Sequence, residues 1–356
     1  MRAYVLPKPS FNAWIERLQA RYQLIGPVEK NGQHIFAQVR NPSELDLGYR
    51  TTLLPPKKAF LPPHEILWEF QGEPGAAPQF SPYLEQKPSI LMGVHTCDLH
   101  AMAFLDRVYL QDPVDQHYRL RRDQTTIVSL ECLSPCSEFA LCKDMGTLSV
   151  PREFDLHLTD LAQDYLVEVG SPKGADLVKE CDELREAQAS DFARLQSAIS
   201  HKWARFPYRL NFDVKELPDL LRLSYESPIW QDLGERCFGC GACNLVCPTC
   251  HCFDVRDEID LSLQEGLRMR TWDSCQLGQF ALVAGGHNFR PTRADRLRHR
   301  FLHKGRYAHE VFGMLACVGC GRCSQACPAG ISLTDALNQI FHMHLSTPSQ
   351  PEEKSL

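Results

Sequence analysis

Cys237, Cys240, Cys243 and Cys247 lie in CFGCGACNLVCP, and Cys317, Cys320, Cys323 and Cys327 lie in CVGCGRCSQACP. Each is a C-x2-C-x2-C-x3-C-P run, a spacing that brings three thiolates onto one face of an iron–sulfur cube. In paired runs the fourth cysteine reaches across to the other cube. The spacing therefore predicts one [4Fe–4S] cluster on Cys237, Cys240, Cys243 and Cys327, and a second on Cys317, Cys320, Cys323 and Cys247. Gly239, Gly241, Gly319 and Gly321 leave the backbone free to wrap the cubes and turn N–H groups toward sulfide. Tetrathiolate zinc also uses C-x2-C pairs, but it does not account for two triplets each closed by Cys-Pro.

A third group lies in the first half of the chain. Cys97 stands in GVHTCDL, and Cys132, Cys136 and Cys142 stand in ECLSPCSEFALCKDMGT. Together they make a complete tetrathiolate at the ends of two expected strands, enough for a third [4Fe–4S] cluster. Inert buried thiols, a zinc site and a redox-active cysteine are the alternatives. Asp98 is read as a helix cap or an acceptor behind the ligands, not as a ligand. Cys181 reads as structural. Cys250 and Cys252, in PTCHCFD, must lie against the first cluster and suit packing or tuning of its potential. Cys275, in RTWDSCQLGQF, is expected to head a helix, where the dipole lowers a thiol pKa.

The elements that position these residues follow from periodicity. A first helix is expected within residues 9 to 24, on Phe11, Trp14, Ile15, Leu18 and Tyr22. Buried strands are expected over 89 to 95 and 125 to 132, an extended proline-rich ribbon over 51 to 70, and an alternating strand pair over 154 to 161 and 164 to 171. A helix from about Leu99 to Tyr109 follows the first buried strand. Residues 173 to 206 have helical period, and another helix covers Leu217 to Tyr225. Seventy positions separate Cys247 from Cys317. Helices are expected there over Asp273 to Ala284, Thr292 to Leu302 and Tyr307 to Leu315, and a further one over Ser332 to Met343 follows the last cluster loop. The fold class is α+β: a mixed α/β domain over 1–210, an all-helical dicluster ferredoxin domain over 211–345, and a flexible tail over 346–356.

With 356 residues and 44% hydrophobic content, the chain can bury two cores; a formal charge of −6 without a basic tract argues against nucleic acid. The N-terminal stretch lacks a signal-peptide apolar region, no apolar run is long enough for a membrane span, and sixteen cysteines suit a reducing cytoplasm. No G-x-G-x-x-G fingerprint offers a nucleotide site. Arg290, Arg293, Arg296, Arg298 and Arg300, with His287 and Lys304, concentrate positive charge between the cysteine runs. They read as a solvated helix face or as a docking surface for an acidic partner, with His287 and Asn288 as alternative donors to cluster sulfide.

Nearly the whole chain resembles the iron–sulfur β subunit of soluble cytoplasmic sulfhydrogenases, NiFe hydrogenases linked to NAD(P). It is also similar to one of the subunits of anaerobic sulfite reductase. The resemblance is carried by TTLLPPKKAFLPPHE, MGVHTCDLHAMAFLD, the ECLSPCSEFALCKDMGT loop, CFGCGACNLVCPTCHCFDV and RTWDSCQLGQFALVAGGHNFRPTRADRLRHRFLHK. The family more often has Arg-Pro where His95-Thr96 stands, and Cys-Phe-Cys where this chain has Ala140-Leu141-Cys142. The resemblance implies a non-catalytic chain that relays electrons. On one side stands a flavin/NAD(P)-binding subunit; on the other stand the small and large subunits of a NiFe hydrogenase, or the catalytic subunit of a sulfite reductase. A thiol enzyme of the heterodisulfide reductase kind, working through Cys250, Cys252 or Cys275, is the competing class.

Overall fold

The computed structural model describes residues 2–73, 77–84, 87–150 and 153–346. Apart from Ser346, the tail expected over 346–356 lies outside the described residues. The strands run, in chain order, β1 (Ala3–Pro7), β2 (Gln23–Lys30), β3 (Gln33–Gln38), β4 (His64–Gln71), β5 (Gln79–Pro82), β6 (Ser89–His95), β7 (Thr125–Leu130), β8 (Leu156–Asp160), β9 (Asp164–Val169), β10 (Arg185–Glu186), β11 (Phe253–Ile259) and β12 (Glu265–Trp272). They form an eight-stranded sheet of order β10-β1-β9-β8-β7-β6-β2-β3 and a four-stranded sheet of order β11-β12-β4-β5.

In the large sheet β2, β6, β7 and β8 are parallel, and antiparallel strands close both edges. Every residue of β6 and β7 is buried, as expected of central parallel strands covered on both faces. The first helix, α1 (Phe11–Gln19), lays Phe11, Trp14, Ile15 and Leu18 on the sheet. At about 1.5–3 kcal/mol for each such side chain, this seam alone anchors the N-terminal region. Helix α2 (Thr96–Tyr109) leaves β6, and α3 (Gln116–Gln124) returns the chain to β7. The stretch expected to be helical over 173 to 206 divides into α4 (Pro172–Lys179), the short β10, and α5 (Ala189–Arg205).

The C-terminal region is helical around its cysteine runs, as the fold class predicted. It contains α6 (Leu217–Leu223), α7 (Ile229–Arg236), α8 (Ala242–Leu245), α9 (Arg293–Leu302), α10 (Ala308–Phe312), α11 (Arg322–Gln325) and α12 (Leu333–Ser346). Thr292 caps α9 with a reciprocal box to Asp295, and one π turn over 303–307 joins α9 to α10. Ser332 accepts the Asp335 N–H at the start of α12. A second core holds Leu217, Leu221, Trp230, Phe301, Leu337 and Ile340 together.

Two local expectations fail. No helix forms over Asp273 to Ala284; the chain there is a series of turns, and Asp273 accepts the N–H of its neighbour Ser274 instead of capping a helix. An unanticipated β-hairpin, β11–β12, precedes it and pairs with β4 from the N-terminal half. Buried Arg270 on β12 fastens that junction by bonding Glu65 on β4 and Asp115 at the start of α3.

Candidate functional site: three groups of thiols

The two cysteine runs adopt the same backbone. Gly239 and Gly241 have φ of 67° and 77°, and Gly319 and Gly321 have 67° and 74°. These left-handed turns reverse the chain twice and launch α8 and α11, so that three thiols of each run face inward. Cys317, Cys320 and Cys323 line one cavity together with Cys247 from the other run. Cys237, Cys240 and Cys243 line the adjoining cavity together with Cys327. Cys323 and the Arg300 side chain border both. Backbone N–H groups point at two of these sulfurs: Gly239 at Cys237 (3.3 Å) and Ile331 at Cys327 (3.4 Å). Among the described residues, no three His, Cys, Asp or Glu side chains converge as ligands of one metal ion would.

Cations are built in beside these thiols. Arg300 donates from Nε to Asn244 Oδ1 (2.9 Å) and reaches the Cys243 carbonyl, while Lys304 donates to Thr249 Oγ1 (2.7 Å). Both are buried. A hydrogen bond from Cys250 holds the Cys247 thiol well below its ordinary pKa, against the effect of burial and with help from Lys304, Arg300 and Lys57. A thiolate is the form that binds metal. The positive charge between the runs is thus largely directed inward. Arg296 is also buried, bonding the carbonyls of Gln276 and Pro291, and Arg298 pairs with Asp295 over the Tyr225 ring. This corrects the reading of one continuous basic docking face. His287 is exposed and packs on Phe289, and Asn288 donates to the Gly278 carbonyl, so neither serves the cysteine loops.

The N-terminal cysteines gather at the carboxyl ends of β6 and β7, the edge where open parallel sheets place ligands. Cys97 sits in the first turn of α2, and Cys132, Cys136 and Cys142 sit in the loop after β7. Cys132 and Cys136 pack with Cys142 around Phe206, while Cys97 packs against Val318 and Cys320. Burial pushes the Cys132 thiol up to about 12 and the Cys97 and Cys142 thiols well above the ordinary range. Left metal-free these are protonated thiols; bound iron would supply the missing positive charge.

The second cysteine run is pressed onto this group. Leu141 N–H donates to the Gly319 carbonyl (2.6 Å), and Thr147 Oγ1 donates to the Val318 carbonyl (2.7 Å). A Cβ on Gly319 would come within 2.5 Å of the Leu141 carbonyl carbon. Asp98 is neither cap nor ligand-like: it binds Arg322 of the second run. Lys202 of α5, buried, bonds Glu131 (2.6 Å) and the Leu148 carbonyl, closing the cysteine loop from the outside.

Cys275 is not at a helix terminus. It is buried in a loop, where it accepts a hydrogen bond from Asn244 Nδ2 (3.0 Å). Cys181 is buried beside Arg17 and Glu183 in the core under α1, and is structural. The inward cations Arg300 and Lys304, the Asp98–Arg322 pair and Lys202 were not singled out as site residues from sequence; a charged side chain carries no sign in sequence that it will be buried.

Two thiol-lined cavities formed by paired cysteine runs, with buried cations between them, define an iron–sulfur electron-transfer protein of the dicluster type. Residues 236–331 match the family model described as a 4Fe-4S dicluster domain. Over 340 residues, 96% of this chain and 98% of the relative, the sequence is 37% identical to sulfhydrogenase 2 subunit beta of Pyrococcus furiosus. The chain belongs to that sulfhydrogenase β-subunit family and serves electron transfer within an oxidoreductase complex. No solved structure matches it. No helix among the described residues is long and apolar enough to cross a membrane.

Proposed function

We propose that this protein carries electrons along three [4Fe–4S] clusters in the cytoplasm, between a flavin subunit that handles NAD(P) and the catalytic subunits of a NiFe hydrogenase. The ligands are Cys97, Cys132, Cys136 and Cys142; then Cys317, Cys320, Cys323 and Cys247; then Cys237, Cys240, Cys243 and Cys327. Residues 1–210 carry the first set and 211–345 the other two. One observation supports the reading above all: the sets are contiguous. Cys97 packs against Cys320 of the middle set, and Cys323 borders the cavities of both the middle and outer sets.

The outer set reaches the surface at Cys240, which is exposed and flanked by exposed Phe238. The N-terminal set lies at the other end, so each end meets a different partner. One-electron transfer needs neither acid nor base in a cleft. The buried cations and the N–H groups aimed at sulfur favour the reduced clusters and raise their potentials. The purified protein mixed with a flavin subunit should be reduced by NAD(P)H, and mixed with the hydrogenase subunits it should be reduced by hydrogen. Reduction by neither reagent in either mixture, followed by optical bleaching, would reject the wiring.

A further inference from the structure

Cys252 and Cys275 are the thiols that the three sets leave over beside the outer set, and they meet. Cys252 ends the segment that follows Cys247 and Pro248, whereas Cys275 follows β12, so the hairpin β11–β12 brings them together. The Cys252 thiol donates to the Cys275 sulfur, which also accepts from Asn244 Nδ2 at 3.0 Å and from Gln276 Nε2 at 3.7 Å. Three donors on one sulfur stabilise a thiolate, and they set Cys275 at about 6, below the ordinary thiol range. Both sulfurs line a cavity of about 290 Å³, larger than either cavity between the cysteine runs. Arg300 and Lys304 also line it, with His299 and His303, and none of the described lining residues is acidic. Burial lowers His299 to about 4, so that ring is neutral near pH 7 and the wall charge comes from Arg300 and Lys304.

The pair is also joined to the cluster region. Asn244, which follows Cys243, donates to Cys275 through Nδ2 while its Oδ1 accepts from Arg300. A thiolate, a second thiol within hydrogen-bonding reach, a positive chamber and an adjacent electron store are the parts a dithiol reductant requires.

We propose that Cys252 and Cys275 form a redox-active dithiol that reduces small carboxylate-bearing organic disulfides in this cavity, a second outlet for electrons resting on the electron-transfer reading. Cys275 thiolate attacks one sulfur of the disulfide, forming a Cys275–substrate bond and breaking the substrate S–S bond to release one thiolate. That thiolate takes the Cys252 proton and leaves as thiol. Cys252 then attacks Cys275 sulfur, forming the internal disulfide and releasing the second thiolate. Two electrons from the reduced clusters and one proton return the pair to thiolate and thiol.

The test uses the full chain, reconstituted with iron and sulfide, reduced with dithionite, desalted anaerobically and exposed to 3,3′-dithiodipropionate or to cystamine. Peptide mass spectrometry should find Cys252 linked to Cys275, with the anionic disulfide reacting roughly tenfold faster than the cationic one because of the positive chamber. Cys252→Ser should stop with half of the probe trapped on Cys275. Cys275→Ser should leave Cys252 free with iron content and visible spectrum unchanged. Full iron with both thiols free after exposure contradicts the inference, as does loss of iron in Cys275→Ser, which would make that residue a ligand. An iron-poor chain that still forms the link contradicts the electron-transfer reading and retains the thiol pair.

Discussion

Arg322, between Cys320 and Cys323, is clamped to Asp98 at the start of α2 by two 2.7 Å hydrogen bonds, with the two side chains 4% and 1% exposed. The guanidinium also donates to the Thr52 carbonyl. One ion pair thus fixes the middle thiol set against the N-terminal set, across 224 residues of sequence. Removing one partner strands a buried charge. Asp98→Asn should destabilise the protein by about 3–5 kcal/mol, while Asp98→Leu combined with Arg322→Met should recover much of the loss. Denaturant unfolding of these variants beside the wild type checks this; a single variant as stable as wild type would show the pair to be idle.

Gly239 and Gly319 share a φ of 67°, yet their surroundings differ. A Cβ at Gly239 meets nothing nearer than Arg296 Nη2 at 3.5 Å, whereas at Gly319 it meets Leu141 and Cys142 backbone within 2.8 Å. Gly239→Ala should cost about 1–2 kcal/mol through the left-handed backbone alone. Gly319→Ala must also push the N-terminal cysteine loop away, so it should cost more and disturb the Cys142 site. Melting temperatures, with the EPR signal of each cluster, separate the two effects.

The two glycines also mark how far sequence reaches. The cysteine runs, their turns and the strands ending at Cys97 and Cys132 were legible because local spacing and continuous apolar runs specify them. The hairpin β11–β12 was not: Arg270 on β12 meets Glu65 on β4 across 205 residues, and no local pattern announces a pairing at that distance. Val255, Ile259 and Leu267 do alternate with polar residues, but that signal competes with the expectation of helices between cluster loops. Arg296, Arg300 and Lys304 follow a helical period that reads as a solvated face; their burial depends on carbonyl and side-chain acceptors supplied by other segments.

Acid should loosen the junction between the two halves. His251 lies behind Cys250 among Phe104, Tyr109 and His303, and burial lowers it from 6.5 to about 4. A depressed histidine binds its proton in the unfolded chain first, so stability is complete above pH 6.5 and falls as pH drops toward 4, by up to about 3 kcal/mol. His251→Gln should flatten that part of the stability profile. Unfolding measured at about pH 7 and pH 5 for both proteins reads the difference, since acid lability of the clusters is common to both.

Crossed ligation makes a prediction contrary to sequence adjacency. Cys247→Ala should damage the cluster held by Cys317, Cys320 and Cys323, and Cys327→Ala the one held by Cys237, Cys240 and Cys243. Cluster-resolved EPR of the two variants is decisive: loss of the neighbouring cluster in each would refute the crossed assignment.

A wire of three clusters stands or falls on iron content, which anaerobic iron and acid-labile sulfide analysis of the purified protein measures directly. Three cubes predict about twelve irons and twelve sulfides per chain, falling to about eight of each in Cys97→Ala. About eight irons in the wild-type chain, unchanged by Cys97→Ala, would contradict it.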